Sequence, residues 1–378
     1  MDFDLSDEQK MLVDGARRYV RDNLGTEARR HAAASPNGFS RDHWAAFAEM
    51  GWLALPVPED AGGLGGSDVD IALLTEELGR GLSSLPYIDG AVLASSVIAA
   101  SPDPALREQL LGAIASGEAL VALAHMEPDC RSEFDTHVQT LATETAQGWQ
   151  LSGTKARVVH GGPASHWLVT SCTDDAGKNG FSIFLVARNA PGVQVSTYEL
   201  VDGSRGADLQ FDATPATLLI RDRVEAANAL AEALDRAIVA LAAQTVGSME
   251  AVMLSTADYL KQRTQFGQTL SKFQALQHRM SEMFLETDQA RSMLMSALAG
   301  LASGDPVYRA QAASGAKALI TQAAYFVTGQ GIQLHGGMGI TDELGVSHHY
   351  KSALVFDKRF GDRDFHLARS AGLAVGPR

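Results

Sequence analysis

Two glycine-bearing segments of this chain contain residue types suited to holding a phosphorylated ligand. Residues 263–267 read Arg-Thr-Gln-Phe-Gly, and residues 333–339 read Gln-Leu-His-Gly-Gly-Met-Gly. Arg263 has a planar, permanently charged guanidinium that matches the geometry of a phosphate. Gly336 and Gly337 lack a Cβ, so the backbone amides there can approach a ligand closely. Aromatic surface is available nearby from Phe266 and Phe273. Together, the two segments predict a dinucleotide cofactor.

The elements that would position these segments are helices. Ser6 followed by Gln9 is a capping-box pattern, and the residues up to about 120 then keep a largely helical period. From about residue 225 a 3.6-residue period returns, and its longest stretch runs from 226 to 263. A Gly-Asp-Pro sequence at 304–306 marks a break between two of these later helices.

The middle of the chain has a different pattern. Short β-rich segments, several of them separated by Gly, Asp and Asn, predict a small β-barrel or sandwich. The predicted strands are 121–126, 136–145, 149–151, 167–172, 182–186, 193–198 and 217–220. The fold class is therefore predicted as α+β, with an N-terminal helical domain (1–120), a middle β domain (121–223) and a C-terminal helical bundle (224–378).

Composition argues against several classes of protein. With 378 residues, 46% of them apolar and 20% charged, the chain is long enough for two or three domains with large cores. The net charge of −14 argues against binding to nucleic acid or to anionic lipid. The sequence has no uninterrupted apolar run of about 18 residues, so we expect no membrane-spanning helix.

The cysteines and the amino terminus indicate the cellular setting. Cys130 and Cys172 fit neither a disulfide framework nor a zinc pattern, and we expect them to be small core residues. No metal site is predicted. The acidic amino terminus is unlike a secretory or transit signal, so we expect a cytoplasmic location.

The order of five sequence stretches gives the chain a family resemblance. Residues 51–65 (GWLALPVPEDAGGLG), 76–80 (EELGR) and 153–162 (GTKARVVHGG) precede the segments at 263–267 and 333–339. In this order they resemble the acyl-CoA dehydrogenase family of FAD flavoproteins, over nearly the whole chain. The resemblance implies a three-domain, acyl-CoA dehydrogenase-like fold and removal of two hydrogens from the α and β carbons of an acyl-CoA thioester, with FAD as hydride acceptor.

The resemblance also implies which residues bind FAD. Arg263 and Gln265 match positions that hold the pyrophosphate of a cofactor belonging to the neighbouring subunit, and Phe273 and Gln274 match contacts to the adenosine end. The remaining candidates of this helical region are Phe266, Gln333, Leu334, Gly336 and Gly337.

In the middle domain the family often has hydroxyl groups near the flavin. Met126 and Val159 stand at these positions, and neither can donate the corresponding hydrogen bond. Arg157 replaces an aromatic residue of the family. It is either a cation that faces the flavin or a substrate carboxylate, or an exposed residue of a strand.

The general base is where the chain departs from the family pattern. A base must reach the weakly acidic α proton of the thioester. Many members have Glu where this chain has Gly361, and a one-residue gap would bring Asp362 to that position. Asp362 is therefore the candidate catalytic base. The family's alternative position on the long helix is Ala237, and the nearby Asp235 would face another side of that helix.

Residues 360–366 (FGDRDFH), read with 333–343, are similar to a bacterial subgroup of pimeloyl-CoA-type small subunits and steroid side-chain dehydrogenase subunits. The resemblance implies an acyl-CoA substrate from lipid or steroid catabolism and an electron-transfer flavoprotein as acceptor. It also implies either a homo-oligomer or a heterotetramer with a related dehydrogenase subunit. Two functions follow: an active acyl-CoA dehydrogenase that uses Asp362 or a partner's base, and a catalytically silent FAD-binding structural subunit. A flavin oxidase or monooxygenase on the same fold is a third reading.

The other conspicuous polar residues are expected to be structural. Glu127 is predicted to be a turn residue beside Pro128. His160 and His335 lie inside the cofactor motifs and either satisfy backbone groups or act on the substrate.

Overall fold

The computed structural model describes residues 5–173 and 181–375. The first four residues of the acidic amino terminus lie outside this range. The described chain packs as two compact units. The helical unit comprises residues up to 31, residues 68–83 and residues from 238 onward, and the sheet unit comprises residues 32–67 and 84–237.

Helices occupy both ends of the chain, as the sequence predicts. They are α1 (Asp7–Asn23), α2 (Thr26–Ala34), α3 (Arg41–Glu49), α4 (Asp68–Arg80), α5 (Ala94–Ala99), α6 (Pro104–Ala115), α7 (Arg223–Gln262), α8 (Gln274–Leu301), α9 (Pro306–His335), α10 (Gly345–Lys358) and α11 (Arg363–Val375). The capping box at Ser6 and Gln9 is present at the start of α1. Asp305 caps α9 directly after the predicted break, so that prediction is confirmed.

The strands lie between α6 and α7, apart from a small hairpin after α7. They are β1 (Val121–Ala124), β2 (Leu141–Thr145), β3 (Gly148–Val159), β4 (His166–Thr173), β5 (Ser182–Ala187), β6 (Val193–Glu199), β7 (Arg205–Ile220), β8 (Thr264–Gln265) and β9 (Gln268–Thr269). The predicted order of a helical, a β-rich and a second helical region is confirmed. The predicted boundaries fall between α6 and β1 and at the start of α7.

The sheet of the middle region closes into a barrel. Its order is β1-β4-β2-β3-β7-β5, and β5 pairs again with β4, so that β4, β2, β3, β7 and β5 form a ring. Two strands are much longer than predicted. β3 and β7 continue through polar residues because they pair with each other across register shifts, one of which lies between Lys155 and Val158.

The long helix α7 is apolar enough and long enough to cross a membrane by composition alone. Most of its apolar stretch, 72%, is buried inside the protein, which is typical of a core helix. Within the helical unit, α7 comes very close to α4. A Cβ placed on Gly79 would lie 1.8 Å from the carbonyl oxygen of Gln244, and one on Gly247 would lie 1.9 Å from that of Glu76. Only glycine permits this contact.

We therefore predict that Gly247→Ala separates α4 from α7 and lowers the free energy of unfolding by about 3 kcal/mol or more. Denaturant unfolding monitored by circular dichroism measures this change. Gly15→Ala is the matched control, because a Cβ at this helical position meets nothing within 4 Å. It should leave stability unchanged or raise it by up to about 1 kcal/mol. Equal stability of the two variants would contradict the packing argument.

Candidate cofactor and catalytic site

Arg263 lies directly after α7 and opens the small hairpin of β8 and β9. The two central residues, Phe266 and Gly267, both have positive φ values, of 53° and 79°. This is the backbone of a tight two-residue hairpin turn, and it holds the Phe266 side chain 90% exposed. The Phe266 ring meets Phe273 edge to face at a centroid distance of 6.2 Å. Phe266 is therefore a surface residue and not part of the core.

The guanidinium of Arg263 is open to a ligand. Arg263 is exposed, and among the described residues its side chain makes no hydrogen bond or ion pair. Gln265 and Gln274, the other polar candidates of this segment, are also exposed. An unpartnered cation beside exposed aromatic surface fits the pyrophosphate and ring of a dinucleotide.

The glycine loop begins where α9 ends at His335. Gly336 has φ 60° and ψ −139°, a conformation that favours glycine. A Cβ added to Gly336 or Gly337 would meet no atom within 4 Å, so this backbone faces open space. Gln333 is exposed and Leu334 half-buried in the last turn of α9.

Packing between α7 and α9 brings the hairpin and the glycine loop to the same end of the helical unit. The imidazole of His335 stacks on the ring of Tyr259, one turn before Arg263, at a centroid distance of 4.5 Å. Its Nδ1 donates to the carbonyl oxygen of Gly331 at 2.7 Å, which fixes the orientation of the ring. A Cβ on Gly331 would lie 2.4 Å from Val252, so the two helices are in close contact here. His335 thus has a structural role, one of the two readings left open by the sequence.

The surface around the hairpin and the glycine loop exposes several large apolar side chains. Besides Phe266, Met338 is 53% exposed and Ile340 is 73% exposed. Exposed apolar surface next to an open cation and open glycine backbone is typical of a site completed by a ligand and a second chain. The residues present therefore fit a dinucleotide such as FAD.

The other two cofactor candidates lie in the sheet unit. Val159 is the last residue of β3 and is half-buried, whereas Met126 is buried. The carbonyl oxygen of Met126 accepts a hydrogen bond from the amide of Ala156 at 2.8 Å. Arg157 has a positive φ of 56°, and its guanidinium donates to the carbonyl oxygens of Glu127 and Cys130 at 3.2 and 2.6 Å. Arg157 therefore anchors the segment after β1.

Beneath this segment lies a buried ion pair that the sequence analysis missed. Glu127 is 4% exposed and Lys155 is fully buried, and Lys155 Nζ donates to Glu127 Oε1 at 2.8 Å. Glu127 also accepts hydrogen bonds from the amides of Gln139 and Thr140 and from the Thr140 hydroxyl. Glu127 is a turn residue, as predicted, because its carbonyl oxygen accepts the amide hydrogen of Cys130 at 3.0 Å. Its side chain has a second role that the local pattern did not indicate, since the partners of its carboxylate lie 12, 13 and 28 residues away in sequence.

His125 extends this network. Its Nε2 donates to the carbonyl oxygen of Asp135 at 2.8 Å, so its Nδ1 accepts from the Thr170 hydroxyl at 2.9 Å. Thr170 in turn accepts from Lys155 at 3.2 Å. Burial, helped by the charge of Lys155, lowers the pKa of His125 to about 4. Burial likewise lowers the pKa of Lys155 to about 8, and the carboxylate of Glu127 limits that shift. The network ties the segment 126–135 to β3 and β4.

Both cysteines are free thiols and partly exposed. The expectation that they are core residues is therefore wrong. Cys172 Sγ lies 3.3 Å from the carbonyl oxygen of Thr140, next to the same network.

The candidate base, Asp362, caps the start of α11. Its Oδ1 accepts the amide hydrogen of Phe365 at 2.9 Å, and its Oδ2 lies 3.9 Å from Lys358 Nζ. The carboxyl is 47% exposed. At Gly361, φ is 95°, and an added Cβ would lie 2.5 Å from the ring of Phe365 and 3.1 Å from His366 Nε2. Position 361 is therefore closed to a glutamate in this backbone conformation.

Two buried residues hold the turn that carries Gly361 and Asp362. His366 Nε2 donates to the carbonyl oxygen of Phe360 at 2.7 Å, and burial lowers the pKa of His366 to about 3. Lys317, fully buried, donates to the last carbonyl groups of α10, those of Phe356 and Asp357. In α7, Asp235 and Ala237 are both fully buried.

Three models of known protein domains together match most of the chain. Models of the N-terminal, middle and C-terminal domains of acyl-CoA dehydrogenase match residues 6–118, 122–214 and 227–371. The probable acyl-CoA dehydrogenase YngJ of Bacillus subtilis is 30% identical over 94% of this chain and 95% of its own. The chain belongs to the acyl-CoA dehydrogenase family. Its resemblance to that family is confirmed, as are the three-domain fold and its class as an oxidoreductase.

Two solved structures share the fold of this family member. The steroid ACAD variant Tcur3481-Tcur3483 is 28% identical with a TM-score of 0.87, and each chain covers 98% of the other. PigA, solved with FAD and proline, is 26% identical with a TM-score of 0.88, again with 98% of both chains covered. The structures of a steroid ACAD and of PigA with proline thus share one fold, so the fold by itself does not specify the small molecule that is bound.

The His125 network makes the stability of this dehydrogenase depend on pH. Because the folded-state pKa of about 4 lies below the ordinary value of 6.5, the unfolded state binds more protons between these values, and stability falls as pH falls through this range. We predict that lowering the pH from about 7 to about 5 costs roughly 2 kcal/mol through His125. When the pH is lowered from about 7 to about 5, the free energy of unfolding of His125→Gln should fall by roughly 2 kcal/mol less than that of the unchanged protein. Denaturant unfolding at the two pH values measures this difference.

His278→Gln, an exposed histidine of α8, is the control and should show the same pH dependence as the unchanged protein. If His125→Gln loses as much stability on acidification as the unchanged protein, the buried neutral imidazole is not the cause.

Proposed function

We propose that this chain carries out FAD-dependent α,β-dehydrogenation of an acyl-CoA thioester. The observation that carries the proposal is the shared location of the Arg263 hairpin and the Gly336–Gly337 backbone, fixed by the stack of Tyr259 on His335. One end of the helical unit thus presents an open cation, open amides and exposed aromatic surface. Family membership supports the reaction class.

The proposed cofactor contacts divide by chemistry. Arg263 and Gln265 hold the pyrophosphate, Phe273 and Gln274 contact the adenosine end, and the amides at Gly336 and Gly337 complete the grip. FAD, when bound, supplies the acceptor for the β hydride, a redox capacity that no side chain has. Leu334 and Phe266 exclude water from this surface. In the sheet unit, Met126 and Val159 provide an apolar wall without a hydroxyl donor for the chain's own flavin, whereas the resemblance assigns the cofactor held at Arg263 to the neighbouring subunit.

We propose that the working protein is an oligomer. Phe266, Met338 and Ile340 are exposed on the single chain, and their apolar surface favours a neighbouring chain that covers them. The covering chain is either a second copy of this chain or a related chain. A related chain is favoured by analogy with the steroid ACAD Tcur3481-Tcur3483, whose name contains two components. A lipid-derived or steroid acyl-CoA substrate, an electron-transfer flavoprotein as acceptor and a cytoplasmic location remain predictions from the sequence.

The first test of this function is spectroscopic. The purified chain should contain bound flavin with its band near ~450 nm, and saturated acyl-CoA or steroid-CoA thioesters added without oxygen should bleach it. Arg263→Gln should lower the flavin content per chain at least about tenfold, because a charge-assisted contact to the pyrophosphate is removed.

Arg279→Gln is the matched control, since Arg279 is an exposed arginine of α8 that pairs with Glu282. It should keep the flavin content of the unchanged protein. A chain that neither contains flavin nor takes it up, alone or with a co-expressed dehydrogenase partner, would overturn the proposed function.

A second candidate function is a silent subunit that binds FAD and leaves the base to a partner chain. The geometry around Gly361 favours it, because this position cannot accept a glutamate and Asp362 already serves as a helix cap. Asp362→Asn separates the two candidates, since asparagine keeps the cap and removes the proton acceptor. If Asp362 is the base, turnover of the assembled protein falls by about 100-fold or more, with unfolding unchanged.

Asp305→Asn, which alters the equivalent cap of α9, is the control and should leave turnover intact. Full turnover in the Asp362→Asn protein would exclude Asp362 as base and support the partner-dependent subunit.

A further inference from the structure

A cleft in the sheet unit is lined by none of the candidate cofactor residues. It is formed where the start of α3 faces residues 117–120 and 162–165 and the residue after β5, Arg188, and its volume is about 270 Å³. This is close to the lower end of the usual range for small-molecule sites, about 300–1,000 Å³. Phe39, Trp44 and Leu120 contribute apolar lining, and Arg41 and Arg188 contribute charge.

The walls of the cleft are fixed by hydrogen bonds. Trp44 Nε1 donates to the carbonyl oxygen of Gly117 at 3.2 Å, which joins α3 to the segment before β1. The Ser165 hydroxyl donates to the carbonyl oxygen of Leu120 at 3.0 Å, and the amide of Arg188 donates to the carbonyl oxygen of Ser165 at 2.9 Å. The cleft is therefore largely formed before any ligand arrives, which lowers the cost of binding.

The charge in the cleft is not neutralised. Arg41 makes no side-chain hydrogen bond or ion pair with any described residue, and Arg188 donates only to the carbonyl oxygen of Gly162. Glu118 also lines the cleft but forms no ion pair with either arginine. In the helical unit, by contrast, Arg80 and Arg291 both bind Glu76. Two guanidinium groups against one carboxylate give a local positive charge in a chain of net charge −14.

We propose that this cleft is a binding site for a small organic oxyanion. The carboxylate or phosphate of the ligand lies at Arg41 and Arg188, whose planar guanidinium groups match either anion. Phe39 and Trp44, whose rings meet at a centroid distance of 6.3 Å, are only 2% and 6% exposed. The apolar part of the ligand is therefore a short or flat body that lies against the edges of these rings. The site is separate from the proposed dehydrogenation and is tested without it.

The test is calorimetric titration of the full chain with phenyl phosphate, benzoate and the neutral benzamide. Phenyl phosphate or benzoate should bind saturably with a dissociation constant of about 10 mM or below, and benzamide should not bind. Added salt should weaken the binding of the anion. The tighter of the two anions identifies phosphate or carboxylate as the natural group. Inorganic phosphate should bind more weakly than phenyl phosphate, because it lacks the apolar body.

Two variants assign the binding to the cleft. Arg41→Gln removes a side chain with no partner among the described residues. It should raise the dissociation constant of the anion about tenfold and leave the free energy of unfolding unchanged. Arg41→Gln/Arg188→Gln should abolish binding. Arg107→Gln, an arginine of α6 that pairs with Asp60, is the control and should bind as the unchanged protein does. The proposal is overturned if neither anion binds, if benzamide or inorganic phosphate binds as tightly as phenyl phosphate, or if Arg41→Gln has no effect.

Discussion

Close packing of helices against α7 is the constraint on which the candidate cofactor site depends. Gly247 lets α7 touch α4, and Gly331 lets α9 touch α7, with backbone or methyl groups at distances that no larger residue allows. Because α7 and α9 approach so closely, the segments that follow them end side by side. The Arg263 hairpin and the glycine loop are then positioned by rigid helices, while their own residues stay exposed.

The sheet unit stabilises its part of the chain by a different kind of interaction. There the segment after β1 is held by a buried ion pair, Lys155 with Glu127, and by a chain of hydrogen bonds that continues through Thr170 to His125. A buried pair of this kind contributes specificity of placement more than net stability, since desolvation offsets much of the attraction. Arg157 adds a clamp on the same segment. Polar side chains thus fix the backbone at Met126 in the sheet unit. In the helical unit, by contrast, the backbone is fixed by close contacts at glycines.

The turn between α10 and α11 is closely packed around Gly361, and its Asp362 is already hydrogen-bonded as a helix cap. Phe365 and His366 occupy the space that a side chain at position 361 would need, and Asp362 is engaged as a cap. His366 and Lys317 hold this arrangement from within the core. The scaffold of the acyl-CoA dehydrogenase family is therefore retained around a turn that leaves no space for a side chain at position 361.

The sequence by itself determined the order of helical and β-rich regions, the cap of α1, the break before α9, and the family. These depend on local periodicity, on glycine and proline, and on motifs whose residues are close in sequence. It underestimated β3 and β7, since their polar residues are stabilised by pairing with each other. It also predicted the turn at Glu127 without revealing the buried ion pair of that side chain. Only the tertiary structure decided that Glu127 meets Lys155, that His335 stacks on Tyr259, and that Gly361 has no room for a side chain. Each of these contacts joins side chains that local pattern cannot pair, because the energy that selects them is that of burial and close packing in the folded state.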